Sequence, residues 1–542
     1  MPRTSLMQVV RRAFHIAKQA SNSSSTDKEE VVEQIYASGY SRRQFIGNTV
    51  KSAAVLGLGL PLLQSCAREE IKPGDTGVDF LSNRLIGCPK IVIVGAGVAG
   101  LNCAFTLRDV GIASTVYEAS TRHGGRMNTA KNILAPGLTT EMGGEFIDSG
   151  HHHILKLAQR FGLNLIDTND SQINGLTKDV FFFDNTSYTE ADVINALLPI
   201  AATIQADIDT LPDTITAWNP GGATAFDNVS LEQYINNLNC VQWLKELLTV
   251  AYVTEYGLDA AEQCCINMLY LISVDTSNGF QIFGDSDERY KIEGGNHHIP
   301  NKLAKALCQQ IEYDRKLVEV DLKNNGKYRL HFESSCAPTT TVNADIVVFA
   351  LPFTLLREVT FNFPLPAWKT NAIQNLGYGT NAKVMAGFNT RYWQTFNKAG
   401  QVFTDESFQL GWDNSELQGG TAGGYTFYSG GTAGVTVGNG SAVSQYNNLI
   451  TGLEKVYPGI TAQHNGNVVR FHWPTFQYTK GSYACYKTGQ YTTITGYERK
   501  PVDNLFFCGE HCSLSFQGYM NGGAETGEKA AKKILEKIGV TV

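Results

Sequence analysis

Lys90-Ile91-Val92-Ile93-Val94-Gly95-Ala96-Gly97-Val98-Ala99-Gly100 reads as a buried strand running into a glycine-rich turn and the first turn of a helix. Ile91 to Val94 is an unbroken β-branched run, the pattern of a parallel strand covered on both faces. The helical pattern continues to Arg108 with Gly111 as its stop, and Ala113 to Tyr117 is a second strand ending at Glu118. In such a unit Gly95 makes the tight turn, Gly97 lets the backbone approach a pyrophosphate, and Gly100 lets the helix pack closely on the sheet. The helix start offers unpaired N–H groups and a partial positive charge to phosphates. Glu118 is placed to accept hydrogen bonds from the adenosine ribose, and an acid there disfavours a 2′-phosphate. Strand, turn, helix, second strand and terminal acid together predict a Rossmann-like unit for FAD or NAD rather than NADP.

Around this unit lie 542 residues, enough for two to four folding units at roughly 150 residues each. Hydrophobic residues make up 43% and charged residues 18% of the chain, and the 53 glycines far outnumber the 16 prolines. That is a packed globular composition with many tight turns. With 44 basic against 51 acidic residues the net charge is −7, so no nucleic-acid face is expected. The 11 cysteines are too few for a disulfide scaffold at this length, and their odd number leaves at least one free or modified.

Residues 1–40 are mostly polar, followed by Ser41-Arg42-Arg43-Gln44-Phe45-Ile46 and the apolar run Ala53 to Leu63. A membrane span needs about 20 apolar residues, and this run is about half that. A twin arginine before a short, glycine-containing apolar stretch resembles a bacterial twin-arginine export signal. Leu63-Gln64-Ser65-Cys66 resembles a lipobox, in which Cys66 would carry a lipid anchor. Residues 1–66 are therefore read as a signal peptide, residues 67–88 as a tether, and the protein as exported by the twin-arginine machinery to the bacterial periplasm or cell envelope.

Arg122-His123-Gly124-Gly125-Arg126-Met127 follows Glu118 closely. Gly125 permits close backbone approach, and Arg126 offers a bidentate charge to a phosphate. Here the sequence resembles the flavin-containing amine oxidase family, which includes monoamine, polyamine and L-amino-acid oxidases. Four later segments extend the likeness. Glu141-Met142-Gly143-Gly144-Glu145-Phe146-Ile147 resembles the flavin-edge loop, and Asp287 to Gly295 the return strand. Asp345 to Pro352 resembles the last strand of the nucleotide domain. Leu505 to Glu510 with Gly518-Tyr519-Met520-Asn521-Gly522 resembles the carboxyl-terminal flavin signature. The likeness spans about residues 88 to 540.

The resemblance implies an α/β fold in which a Rossmann-like FAD domain (89–150, 286–350 and 476–542) interleaves with an α+β substrate domain. The first part of the substrate domain, 151–285, is expected to be mostly helical, and the second, 351–475, strand-rich. It also implies that the Val318 backbone meets the adenine and that Glu510 holds a ribityl hydroxyl. The glycine-rich helix starting at Met520 would face the flavin pyrimidine edge, where its positive end stabilises negative charge. By the same likeness Lys383 is the lysine that reaches flavin N5 through a water, with burial favouring its neutral form. Tyr483 and Tyr519 are the aromatic pair that guides an amine. Ser482 occupies the position where monoamine oxidases attach FAD through cysteine, so non-covalent FAD is expected.

The predicted reaction is oxidation of a primary or secondary amine to an imine, with O2 reduced to hydrogen peroxide. Alternatives are an L-amino-acid oxidase or tryptophan monooxygenase and, more distantly, a carotenoid-type desaturase. The loop Gly143-Gly144-Glu145-Phe146 has no arginine to clamp a carboxylate, which favours an amine, and Glu145 is a candidate to attract the second amino group of a diamine. His151 to His153 and His297-His298 lack zinc-like spacing, so no metal is expected and a supporting or surface role is assigned. Cys264-Cys265 reads as core, and Cys508 and Cys512 lie near the flavin. Gly423 to Gly440 reads as hairpin turns rather than a second nucleotide site. Nothing in the sequence specifies the oligomeric state.

Overall fold

The computed structural model describes residues 89–168, 170, 175–272 and 288–540. The export signal, the lipobox cysteine Cys66 and the tether lie outside the described residues, as does Asp287.

The strand Ile91–Val94 forms the centre of a five-stranded parallel sheet in the order Leu505–Phe507, Ile346–Phe349, Ile91–Val94, Ser114–Tyr117, Ile311–Glu312. All four residues of the central strand are buried, as the β-branched run requires of a strand covered on both faces. Strands drawn from three distant parts of the chain thus build one nucleotide sheet. The helix Val98–Asp109 leaves the central strand directly, and the carboxyl-terminal helix Met520–Lys537 packs along it. Their approach is close: a Cβ at Gly527 would lie 2.2 Å from the Ala99 carbonyl oxygen. Asn102 Nδ2 donates across the interface to the Ala524 carbonyl at 2.7 Å.

A four-stranded sheet, Thr340–Ala344, Tyr328–Glu333, Lys316–Leu322 and Thr360–Phe361, lies beside the nucleotide sheet, and the two share a hydrophobic core that includes Val92, Val347, Leu330 and Phe332. The second large element is a seven-stranded sheet in the order His464–His472, Ala382–Phe388, Gly423–Ser429, Leu410–Asp413, Lys398–Thr404, Thr177–Phe183, Thr186–Tyr188. Helices Glu190–Ile208 and Gln242–Tyr256 bury their apolar faces in the core shared with this sheet.

Two expectations are refined here. Residues 151–285 are not purely helical, because Thr177–Phe183 and Thr186–Tyr188 extend the large sheet. Gly423–Ser429 is a fully buried inner strand rather than a set of hairpin turns, and the short helix Gly431–Thr436 follows it. The glycines there serve packing, since a Cβ at Gly424 would meet Asn414 Oδ1 at 2.2 Å.

Candidate active site

A cavity of about 360 Å³ runs from the glycine turn to the carboxyl-terminal helix. Gly95, Gly97, Glu118, Gly125, Arg126, Glu510, Met520, Tyr483 and Tyr519 all line it. The structure therefore brings most of the predicted residues to one wall, although they come from segments hundreds of positions apart.

The turn is built as its glycines demand. Gly95 has φ of +107°, and a Cβ there would stand 2.7 Å from the Ala350 carbonyl oxygen; both reasons exclude other residues. Gly100 has no room, because a Cβ would lie 2.0 Å from the Gly95 oxygen. Gly97 is the opposite case. A Cβ there meets no protein atom within 4 Å, so the space it faces is open cavity. Gly125, at φ +55°, packs against Gly97 and completes the second glycine turn.

Glu118 stands at the end of its strand and lines the cavity. Its carboxylate accepts from Ala96 N at 2.8 Å, Ser120 N at 2.9 Å and Ser120 Oγ at 2.7 Å. A carboxylate has about four lone-pair positions, so acceptor capacity remains for a hydroxyl. These features fit a dinucleotide: an open cradle at Gly97, a fixed acid at the strand end and backbone N–H groups at a helix start.

Gly143 and Gly144, expected at the flavin edge, do not line the cavity, and three further site expectations are corrected. Leu317 lines the cavity, together with Arg315 and Lys316, whereas Val318 does not. Val318 sits in the bulge between Leu317 and Glu319. Arg126 is not a free phosphate clamp: its Nη1 donates to Glu510 Oε1 at 2.7 Å and to the Ser482 carbonyl at 2.6 Å. Glu510 also accepts from Ala484 N at 3.2 Å and Gly518 N at 2.8 Å. Burial opposes its ionisation, but the Arg126 charge and these hydrogen bonds hold its carboxyl below the ordinary value.

Lys383 is the third correction. It lies on the inner strand Ala382–Phe388, is completely buried and is not part of the cavity wall. Rather than standing alone among apolar neighbours, its Nζ donates to Glu145 Oε2 at 2.9 Å, the Glu141 carbonyl at 3.0 Å and the Gly143 carbonyl at 3.1 Å. Glu145 is equally committed, accepting at Oε1 from Lys291 Nζ at 3.0 Å and Trp412 Nε1 at 3.1 Å. It is not available to a diamine. The loop Gly143-Gly144 is held in turn by Gly144 N donating to the Arg126 carbonyl at 3.1 Å. A Cβ at Gly143 would lie 1.9 Å from that same oxygen.

Tyr519 caps the start of the helix Met520–Lys537, and its ring meets that of His151 edge-on at 4.7 Å. His151 is thus a buried support for the aromatic wall, not a surface residue. The Tyr483 hydroxyl donates to the Glu255 carbonyl at 2.5 Å and lies 3.2 Å from the Tyr428 hydroxyl. A Cβ at Gly518 would come within 3.6 Å of the Tyr483 ring, which puts Tyr483 beside the turn that carries Tyr519. Ser482 Oγ donates to Asn381 Oδ1 at 2.7 Å. Cys485 is buried against Asn267, and the cavity wall contains no cysteine. Sequence patterns gave no sign of Trp412, Trp473 or Lys291. Trp473 Nε1 donates to the Met142 carbonyl at 3.2 Å and so holds the same loop from the far side.

Residues 98–535, well over half of the chain, match the family described as flavin containing amine oxidoreductase. The chain belongs to that family. It is an FAD-dependent oxidoreductase of amine oxidase type, with the amine oxidase fold. Among known proteins it is 23% identical over 478 residues to amine oxidase (flavin-containing) B of Homo sapiens, covering 83% of this chain and 86% of that one. It is 24% identical over 467 residues to a putative L-amino-acid oxidase of Bacillus subtilis, covering 82% of this chain and 95% of that one. Cyclohexylamine oxidase from Brevibacterium oxydans shares its fold with a TM-score of 0.72 at 20% identity, over 84% of this chain and 100% of that one. A redesigned putrescine oxidase does so with a TM-score of 0.71 at 20% identity, over 83% and 99% of the two chains.

Proposed function

We propose that this family member oxidises a primary or secondary amine that carries no carboxylate. The observation that carries the reading is that Tyr483 and Tyr519 both line the cavity, Tyr519 at the start of the helix Met520–Lys537.

Bound FAD supplies the two-electron acceptor, and O2 takes those electrons to give hydrogen peroxide. Gly97, Gly125 and Glu118 would hold its adenosine and pyrophosphate, and Glu510 and Met520 the flavin half. The protein's own contribution is placement. The Tyr483 and Tyr519 rings would flank the amine and exclude bulk water, with Tyr483 held by the Glu255 carbonyl and Tyr519 by His151. Fixed orientation of this kind converts an encounter into an intramolecular step. The start of the helix Met520–Lys537 directs unpaired N–H groups and a partial positive charge at the cavity, where negative charge develops. The balanced reaction of a primary amine is amine, O2 and water giving aldehyde, ammonia and hydrogen peroxide.

The L-amino-acid alternative needs a cation for the substrate carboxylate. Of the arginines that line the cavity, Arg126 has its Nη1 taken by Glu510 and Ser482. Anaerobic mixing of the yellow protein with tyramine, benzylamine, putrescine, spermidine or L-tryptophan decides between them. Bleaching of the visible flavin absorbance is expected with one or more amines, and bleaching by L-tryptophan alone would transfer the enzyme to the amino-acid class. Failure of every compound would remove the oxidase reading.

We further propose that the protein is exported folded through the twin-arginine route and held at the cell envelope through Cys66. The residues Arg42-Arg43 and the sequence Leu63-Gln64-Ser65-Cys66 support this. Replacing both arginines with lysine should leave the protein in the cytoplasm of a bacterial host, and unchanged export would discard the proposal.

A further inference from the structure

We propose that Glu145 is the positioning residue for Lys383: one buried carboxylate fixes the lysine behind the flavin cavity, and whatever Lys383 contributes to the reaction passes through that pair.

The geometry is complete on both sides. An ammonium has three N–H donors, and Lys383 spends all three, on Glu145 Oε2, the Glu141 carbonyl and the Gly143 carbonyl, at 2.9 to 3.1 Å. The two side chains are 0% and 1% exposed. A buried cation is tolerated only with a counter-charge and filled hydrogen bonds. Glu145 also bridges to Lys291, so a single carboxylate serves two ammonium groups.

Its neighbours do not replace it. Glu141 is the other buried acid beside Lys383, but burial pushes its carboxyl up to about 7, and it accepts from Thr129 and Asn296 instead. Glu145 resists the same burial because Lys383 and Lys291 hold it below its ordinary value. Among the described residues, Asp413 and Glu416 also act on Lys291, and Tyr428 feels Glu145. None of these is a hydrogen-bonded partner of Lys383 Nζ.

The pair is also tied to the cavity wall. Asn296 Nδ2 donates to the Glu145 carbonyl at 2.7 Å and the Gly144 carbonyl at 3.0 Å. The same nitrogen touches Met520 Sδ at 4.0 Å, and Met520 faces the cavity. A shift of Lys383 is therefore passed to the Gly144-Glu145 backbone and, through Asn296, to Met520 on the cavity wall. This inference rests on the oxidase reading only for rates measured with an amine.

The test is a double-mutant cycle on the holoenzyme with Glu145→Gln, Lys383→Met and the pair together. Two readouts need no amine: the midpoint potential of bound FAD and the reoxidation rate of dithionite-reduced enzyme by O2, followed across pH. Glu145→Gln should change the reoxidation rate by about tenfold or more and alter its pH profile. Glu145→Asp, which keeps the charge, should recover most of the loss. In the Lys383→Met background the same Glu145→Gln change should move either readout by less than about twofold. An unchanged Glu145→Gln single variant overturns the inference, and so does an effect of full size in the Lys383→Met background. If Glu145→Gln does not fold, Trp412→Phe, which removes one N–H from the carboxylate, is measured in both backgrounds against the same criterion. Reduction of the parent by no amine, with the cycle behaving as described, would sink the oxidase reading and leave the positioning role standing.

Discussion

Arg126 Nη1 lies 2.7 Å from Glu510 Oε1 and joins positions 384 apart in the chain. The two side chains are 20% and 7% exposed, so the pair is largely shielded from solvent. It ties the second glycine turn of the nucleotide domain to the carboxyl-terminal flavin signature, and Arg126 ties both to Ser482. Arg126→Met leaves Glu510 as a buried charge without its partner. The apoprotein should lose about 3–5 kcal/mol of unfolding free energy, read by urea denaturation, and FAD affinity should fall with it.

The same carboxylate has a pH signature. Its folded pKa lies below the ordinary 4.5, so below that value the unfolded chain binds the proton more readily than the native one. The contribution of Glu510 is fully present above about pH 4.5 and is lost as pH falls through the lowered folded value. Stability measured between pH 6 and 3 should fall less steeply in Glu510→Gln than in the parent. Parallel curves would show that the pair carries no linkage.

Two alanine substitutions three residues apart should act on different properties. Gly97→Ala adds a methyl that meets no protein atom, so apoprotein stability should change by less than about 0.5 kcal/mol. FAD binding should nevertheless weaken at least about tenfold, because the methyl enters the pyrophosphate space. Gly100→Ala drives a methyl into the Gly95 carbonyl and should destabilise the apoprotein by about 1–3 kcal/mol or more. Titration of apoprotein with FAD, beside urea unfolding, separates the two.

Tyr483→Phe keeps the ring and removes a hydroxyl that donates to the buried Glu255 carbonyl. A cost of about 1–3 kcal/mol in stability is expected from the unpaired acceptor, with FAD retained. Amine turnover should survive in Tyr483→Phe and fall at least about tenfold in Tyr519→Ala, where the ring itself is lost. Equal activity in Tyr519→Ala would remove the aromatic wall from the mechanism.

Acid precipitation should release FAD to a yellow supernatant. The wall carries Ser482, whose hydroxyl is held by Asn381, and Cys485 is turned into the core against Asn267. A yellow pellet would establish a covalent link.

The nucleotide fold was legible because its determinants are local. Ile91 to Val94 could only be a doubly covered strand, and Gly95 and Gly100 answer to contacts within a few residues or one strand away. Tyr483, Tyr519 and Glu510 lie in short motifs, and all three line the cavity. Leu317 rather than Val318 lines the cavity, and the bulge beside it is set by pairing with Tyr328–Glu333, which no local pattern in Lys316–Leu322 announces. The buried strand at Gly423–Ser429 was hidden for a similar reason: glycines that look like turn residues serve close packing between strands.

By itself, then, the sequence determined the dinucleotide turn, the acid at its strand end and the glycine-rich closing helix, since each depends on backbone geometry encoded within a few residues. Only the tertiary structure decided the company of the buried groups. Lys383 and Glu145 are 238 positions apart, and Lys291 and Trp412 come from two other strands. A buried charge is tolerated only where the folded chain delivers its counter-ion and hydrogen bonds, and that delivery is a property of packing, not of any stretch of sequence.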